Sequence, residues 1–286
     1  MTESARKFKI LENTSNSVLK LDNLEAIGIT PFDEVDPQVY ADWYLKSCYP
    51  ELPFHDEKLI LEFLVSEGHK ASGAESLLEM GCGPTISHSL PLVPYVDSLF
   101  LSDYLETNLS HVLQWIKEDE SAHNWSLHTA YVLQKENRKA TSRTVKERED
   151  LLRKKLRSVI LGDLLSKRPI RRARQFPAVS CFYATEQAAQ DETEWLDVMQ
   201  NLSSLLQPGG VLFLACVHDS EYYAIHDKDL TALRLPIVRV TKKLMEKGLK
   251  LAGFSMRSSE IHVQQVGGLA EEGINGIVLV SAIKAE

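Results

Sequence analysis

The stretch Glu79-Met80-Gly81-Cys82-Gly83 and the acid Asp103, about twenty residues further on, have the types and spacing to hold a nucleotide. An apolar run, Leu77, Leu78 and Met80, ends in a turn that uses glycine twice, and a helical pattern can resume after it. Strand, glycine turn and helix in that order present backbone N–H groups and a helix N-terminus to a ligand. A second apolar run, Leu99-Phe100-Leu101-Ser102, ends in Asp103. That places a carboxylate at the tip of the neighbouring strand, where it accepts hydrogen bonds from both ribose hydroxyls. Charge-assisted bonds of this kind contribute roughly 1.5–3 kcal/mol each.

A dinucleotide fingerprint needs a third glycine for close packing over a pyrophosphate. Here Pro84, Thr85 and Ile86 follow Gly83, which disfavours a nicotinamide-dependent dehydrogenase. A turn of this kind followed by a spaced acid suits a ligand with an adenosine and no phosphate. S-adenosylmethionine, with S-adenosylhomocysteine as its product, is such a ligand. The residues Gly81-Cys82-Gly83-Pro84-Thr85-Ile86, Ser102-Asp103-Tyr104 with Asn108, and Asp219-Ser220-Glu221-Tyr222-Tyr223 resemble a small-molecule methyltransferase family. That family includes nicotinamide, phenylethanolamine and indolethylamine N-methyltransferases, and the likeness runs from about residue 36 to the C-terminus.

The resemblance implies that Gly81, Cys82, Gly83, Thr85, Asp103 and Tyr104 surround the cofactor. Asn108 is either a further adenosine contact or a polar surface residue. Asp36 can cap a helix with Pro37 at its first position, and Tyr40, Trp43 and Tyr44 then recur on one face. Those rings are either a core-facing stripe or a cover drawn to a sulfonium. The family covers its cofactor with a D-P-x-x-Y-x-x-x-Y element, which Tyr40 and Tyr44 match. Val159-Ile160-Leu161-Gly162-Asp163-Leu164 reads as a short strand ending in an acid. Methyltransferases of this fold bond the adenine amino group there, which makes Asp163 and Leu164 candidates.

Methyl transfer from a sulfonium asks the protein mainly to hold acceptor, methyl and sulfur in line, and such positioning supplies roughly 7–11 kcal/mol. No metal or protein nucleophile is required. An amine acceptor must first be neutral, so a nearby carboxylate can orient it and take its proton. Glu186, after the strand Ala178–Tyr183, resembles the acid of the amine-methylating members once one extra residue is allowed. Its other reading is an exposed carboxylate at a helix N-terminus. Cys216 stands where nicotinamide-type enzymes carry an acid, which argues against nicotinamide as the substrate. Ser220 and Tyr223 match positions of the acceptor pocket. His218 and His226 are either bases or ordinary satisfied or exposed histidines.

The elements that must position these groups alternate strand and helix. A helix is expected over Asp56–Lys70, and another over Leu105–Glu120 with Leu109, Val112, Leu113 and Ile116 inward. Residues 135–175 hold nearly half of the 32 Lys and Arg. Their first half reads as a solvated amphipathic helix through Leu151, Leu152, Leu156 and Val159. Their second half reads as a surface loop, or as one that steers an anion. A helix from Trp195 to Leu206 closes on Gln207-Pro208-Gly209-Gly210 and feeds the strand Val211–Val217. A helix with Val240, Leu244 and Met245 follows, and two β-rich segments, Phe254–Gln264 and Gly276–Lys284, form a final antiparallel pair. The fold expected is α/β: a Rossmann-like, seven-stranded, mostly parallel sheet under an N-terminal helical cover. Residues 1–70 would be leader and lid, and 71–286 the core of what is read as a single domain.

With 286 residues, 44% hydrophobic and 25% charged, and a net charge of −8, the chain reads as an ordinary globular protein with no nucleic-acid partner. No apolar run approaches the roughly 20 residues of a membrane span, and the N-terminus lacks a secretory core. Four scattered cysteines, Cys48, Cys82, Cys181 and Cys216, suggest reduced cytoplasmic thiols without a metal. The expectation is a cytoplasmic, S-adenosylmethionine-dependent enzyme, monomeric or weakly homo-oligomeric, that methylates a small molecule at an amine or heteroaromatic nitrogen. Transfer to oxygen, sulfur or carbon of an anionic metabolite is the alternative, as is a regulatory protein that binds the cofactor without catalysis.

Overall fold

The computed structural model describes residues 35–48, 55–172, 174–225, 233–267 and 273–286. The leader expected over residues 1–30, the Trp43 side chain and His226 lie outside the described residues. Strands β1 (Leu77–Met80), β2 (Leu99–Asp103), β3 (Leu156–Leu161), β4 (Phe176–Phe182) and β5 (Leu206–Val217) are parallel and ordered β3-β2-β1-β4-β5. In the separate hairpin, β6 (Tyr222–Ile225) pairs antiparallel with β7 (Leu233–Pro236). The main sheet ends on β8 (Glu260–Gln265) and β9 (Gly276–Ile283), with β9 antiparallel between β5 and β8. The seven-stranded sheet with its antiparallel pair is the fold expected from the sequence.

Side chains alternate across a strand, so neighbouring residues feed two separate cores. Leu77, Leu99, Leu101, Val159, Phe213 and Leu279 pack on one face, while Leu78, Met80, Ile160, Val179, Leu212 and Val280 pack on the other. Both faces are covered by helices, which is why β5 reads as a continuous apolar run from Val211 to Val217. The helices are α1 (Pro37–Cys48), α2 (His55–Glu67), α3 (Ser89–Leu92), α4 (Glu106–Ile116), α5 (Ser126–Lys135), α6 (Ser142–Lys155), α7 (Thr185–Ala188), α8 (Glu192–Ser204) and α9 (Lys242–Leu251). α1 begins as Asp36-Pro37 predicts, with Asp36 Oδ1 accepting from Gln38 N at 2.8 Å.

Three expectations need correction. β3 begins at Leu156 and stops at Leu161, so Asp163 lies beyond its end, and Leu156 and Val159 are strand residues instead of helical ones. The helical spacing misled because α6 runs into β3 without a breaker; Leu156 is at once the helix C-cap and the first residue paired with β2. Val240 precedes α9, which Thr241 caps through Leu244 N. The Pro208-Gly209-Gly210 turn lies within β5 as an irregularity, with Leu206 paired to Phe176 and Val211 to Ala178.

The basic segment is also less solvated than its composition suggests. Arg148 is buried in α6 and donates to both Glu136 carboxylate oxygens, at 2.8 and 2.6 Å, and to Leu90 O at 2.8 Å. Arg174 lies over the Phe100 and Phe176 rings, at 4.4 and 4.9 Å. Lysine cannot reproduce the paired geometry of a guanidinium. Arg148→Lys is therefore expected to lower stability by about 1.5–3 kcal/mol in urea unfolding.

Candidate active site

Parallel strands end on one edge, and that edge gathers the residues singled out above. After β1 the chain takes left-handed turns at Gly81 (φ 73°) and Gly83 (φ 61°). Gly81 N and Cys82 N both donate to Ser102 O, at 2.8 and 2.9 Å, which ties the turn to β2. A Cβ on Gly81 would stand 2.3 Å from Ala184 Cβ, so no side chain fits there. Thr85 is buried and braces the turn from within, donating to Cys82 O at 3.0 Å.

Asp103 ends β2 beneath this turn. Its Oδ2 accepts from Gly83 N at 2.7 Å, and its Oδ1 accepts from Leu105 N at 2.9 Å and Asn108 Nδ2 at 3.0 Å. Burial pushes the carboxyl up from its usual value, against the pull of these donors. Asn108 is thus a buried partner of Asp103 and no surface residue, and among the described residues its Oδ1 has no hydrogen-bond partner. Tyr104, the next residue after the strand, is 59% exposed. Gly162 N donates to Asp103 O at 2.9 Å, linking the third strand tip to the second. Asp163 follows in a turn, accepting from Leu165 N at 2.9 Å, while Asn201 Nδ2 holds Leu164 O at 2.9 Å.

The aromatic cover lies across this edge. Tyr40 and Tyr44 stack with ring centroids 5.5 Å apart, and Tyr44 Cε1 is 4.0 Å from where a Gly83 Cβ would be. Tyr40 Oη and Tyr223 Oη are 3.3 Å apart, and Gln187 Nε2 donates to Tyr223 Oη at 2.9 Å. The structure therefore brings Tyr40, Tyr44, Gly83, Asp103 and Tyr223 to one place, from four different elements.

Glu186 and Cys216 are turned the other way. Glu186 is only 1% exposed, so it is not the solvated carboxylate of its second reading. Its Oε1 accepts from Val217 N at 2.8 Å and its Oε2 from Thr185 Oγ1 at 3.1 Å. Burial pushes its carboxyl up, opposed by these bonds. Cys216 is fully buried in the core, 3.2 Å from Thr185 Oγ1. Ser220 Oγ closes its own turn on Tyr222 O at 2.7 Å, and Asp219 is bound by Arg239 Nε at 2.7 Å.

The profile of the NNMT/PNMT/TEMT family matches residues 29–285. The chain belongs to this family. Human nicotinamide N-methyltransferase is 26% identical over 240 residues, covering 81% of this chain and 86% of that protein. Phenylethanolamine N-methyltransferase of Macaca mulatta is 24% identical over 193 residues, covering 66% and 65%. Among solved structures, the DhpI–SAH complex aligns with a TM-score of 0.53 at 14% identity, over 87% of this chain and 93% of that one, a likeness of fold. This family member is an S-adenosylmethionine-dependent methyltransferase.

The residues at the edge fit that cofactor. The glycine turn leaves backbone bare of side chains, Asp103 is fixed beside it, and the Asn108 Oδ1 acceptor lacks a partner among the described residues. Two further features of this family member were not visible in the sequence. Tyr183 Oη donates to Asp56 Oδ2 at 3.0 Å, joining the end of β4 to the start of α2. Behind the turn, His88 Nε2 meets Glu57 Oε2 at 3.0 Å and His88 Nδ1 meets Glu79 Oε1 at 3.4 Å, while Ser89 Oγ donates to Glu79 Oε2. Burial alone would lower the His88 pKa, but the two carboxylates push it up to about 10. Among the described residues no group of three His, Cys, Asp or Glu could hold a metal.

Proposed function

We propose that the protein transfers a methyl group from S-adenosylmethionine to a nitrogen of a small molecule, with the ribose held by Asp103. The observation that carries this reading is the Asp103–Gly83–Asn108 arrangement beneath the Tyr40–Tyr44 cover. Gly81, Cys82 and Gly83 offer backbone around the cofactor, Thr85 stiffens the turn, and Tyr104 and Asn108 flank the adenosine. Asp163 and Leu164, at the third strand tip, are the proposed adenine contacts. The cofactor supplies a methyl group on a good leaving group, so the protein's part is orientation and exclusion of water. Tyr40 and Tyr44 offer aromatic faces to a cation. Tyr223, held by Gln187 and Tyr40, is the proposed acceptor-side hydroxyl.

Glu186 is only 1% exposed and is bonded by Val217 N and Thr185 Oγ1, so its proposed part is to brace α7 against β5 instead of receiving a proton. Ser220 shapes its turn, and Cys216 supports Thr185 from the core. Nitrogen is favoured as acceptor atom because the named relatives above are N-methyltransferases. Among the described residues no helix is long and apolar enough to cross a membrane. The buried free thiols Cys82, Cys181 and Cys216 support a reducing, cytoplasmic setting.

The test is release of S-adenosylhomocysteine from purified protein and S-adenosylmethionine against a panel of amines, pyridines, indoles, thiols, phenols and phosphorylated metabolites. Turnover confined to nitrogen acceptors is the expected result. Turnover confined to a thiol, phenol or phosphorylated acceptor would replace this reading. Tyr44→Ala is expected to weaken S-adenosylmethionine binding by about 0.5–2 kcal/mol, read by calorimetry, with little change for a neutral adenosine.

A further inference from the structure

The connection from β3 to β4 carries charge that methyl transfer does not use. No acid stands between Asp163 and Glu186, while Lys167, Arg168, Arg171, Arg172 and Arg174 all do. The other cation-rich stretch, α6, neutralises itself: Arg143 meets Glu147, Lys146 meets Asp150 and Arg153 meets Glu149. Lys167, Arg168, Arg171 and Arg172 are exposed, and among the described residues none of the four forms an ion pair. Their backbone is nonetheless fixed. Asp163 N donates to Pro169 O at 2.9 Å, Arg168 N to Ser166 Oγ at 3.2 Å, and Asn201 Nδ2 to Leu164 O at 2.9 Å. Ile170 is buried in the core, and Arg174 lies pinned over the Phe100 and Phe176 rings. Four unmatched charges thus stand on a held support, which has little backbone freedom to lose on binding. The same turn borders an open sheet edge. β3 is the outermost strand and pairs with β2 alone among the strands. Gly162 N points to β2, Asp163 N points away from it to Pro169, and Gly162 bridges Ile170. By that alternation the N–H groups of Val159 and Leu161 also point outward.

We propose that this edge docks an extended acidic segment of a partner protein, with its backbone against β3 and its carboxylates on Lys167, Arg168, Arg171 and Arg172. In strand addition the main-chain hydrogen bonds supply affinity and the side chains supply selection. Arginine forks match carboxylates two bonds at a time. The chain as a whole carries a net charge of −8, so it repels a long polyanion such as nucleic acid, and this patch is the local exception. A short acidic segment meets the patch without lying along the rest of the surface. The apolar residues Leu164, Pro169 and Ile170 of the turn are buried, so they offer nothing to a lipid surface. Only a peptide can use both the cations and the open backbone of β3.

The experiment measures fluorescence anisotropy of labelled peptides with the full chain. One peptide alternates Glu and Thr, and another alternates Lys and Thr. A third alternates Glu and Pro, which keeps the negative charge but cannot form a strand ladder. Wild type is compared with the triple variant Arg168→Glu, Arg171→Glu and Arg172→Glu, whose thermal unfolding should match wild type because the three side chains are exposed. The Glu-Thr peptide is expected to bind wild type, to weaken as salt is added, and to bind the variant at least roughly tenfold more weakly. The Glu-Pro peptide should bind wild type less tightly, and the Lys-Thr peptide should not bind. Absence of Glu-Thr binding, or equal binding to both proteins, would overturn the proposal. Equal binding of the Glu-Pro and Glu-Thr peptides would remove the pairing with β3. Tighter binding of phosphatidylserine vesicles or of a single-stranded oligonucleotide than of the Glu-Thr peptide would replace the partner by a lipid surface or a nucleic acid.

Discussion

Replacing His88 with leucine is expected to lower the unfolding free energy by about 3–5 kcal/mol, because it leaves buried carboxylates without their cation. Glu57 and Glu79 face His88 at 3.0 and 3.4 Å. All three side chains are almost wholly out of water. Burial would raise the Glu57 carboxyl, but the His88 charge beside it holds it below its ordinary value. The pH dependence has a definite sign. The His88 pKa rises from 6.5 to about 10 on folding, so its stabilisation is fully present below about pH 6.5 and is lost as pH climbs through 10. Urea unfolding of wild type and His88→Leu at pH 6 and pH 10 measures this. The gap between the two proteins should narrow at the higher pH. A constant gap would mean that His88 contributes by packing alone.

Gly81→Ala is expected to cost stability and cofactor binding together. The substituted residue would keep φ 73°, at roughly 1–2 kcal/mol for an L-residue. Its Cβ would also meet Ala184 Cβ at 2.3 Å, an overpacking worth about 1–3 kcal/mol. Both penalties fall on the turn that carries the N–H of Gly83 to Asp103. Thermal unfolding and calorimetry with S-adenosylmethionine should therefore fall in parallel. A variant with native stability and native affinity would show that the turn and β4 can separate freely, and that Ala184 does not fix the edge.

What the sequence revealed follows from the range of the interactions. The glycine turn, Asp103 and the Asp36-Pro37 start of α1 are local signals, written within a few residues, and each appears where expected. The junction of α6 and β3 leaves no mark in the sequence because Leu156 satisfies both a helical spacing and a strand. α5 shows no clear apolar period because its buried face uses His128 and Thr129 as well as Val132 and Leu133. Asp56 and Tyr183 are 127 residues apart, and nothing local links them. Glu186 was legible as an acid at the right edge, but its direction was not: the backbone N–H of Val217 turns it inward.

The central claim is that this edge holds S-adenosylmethionine through Asp103. Calorimetric titration of S-adenosylmethionine into wild type and Asp103→Ala tests it directly. The account predicts binding by wild type and an affinity at least roughly tenfold weaker in a folded Asp103→Ala. Equal affinities in the two proteins, or no binding by wild type, would contradict it.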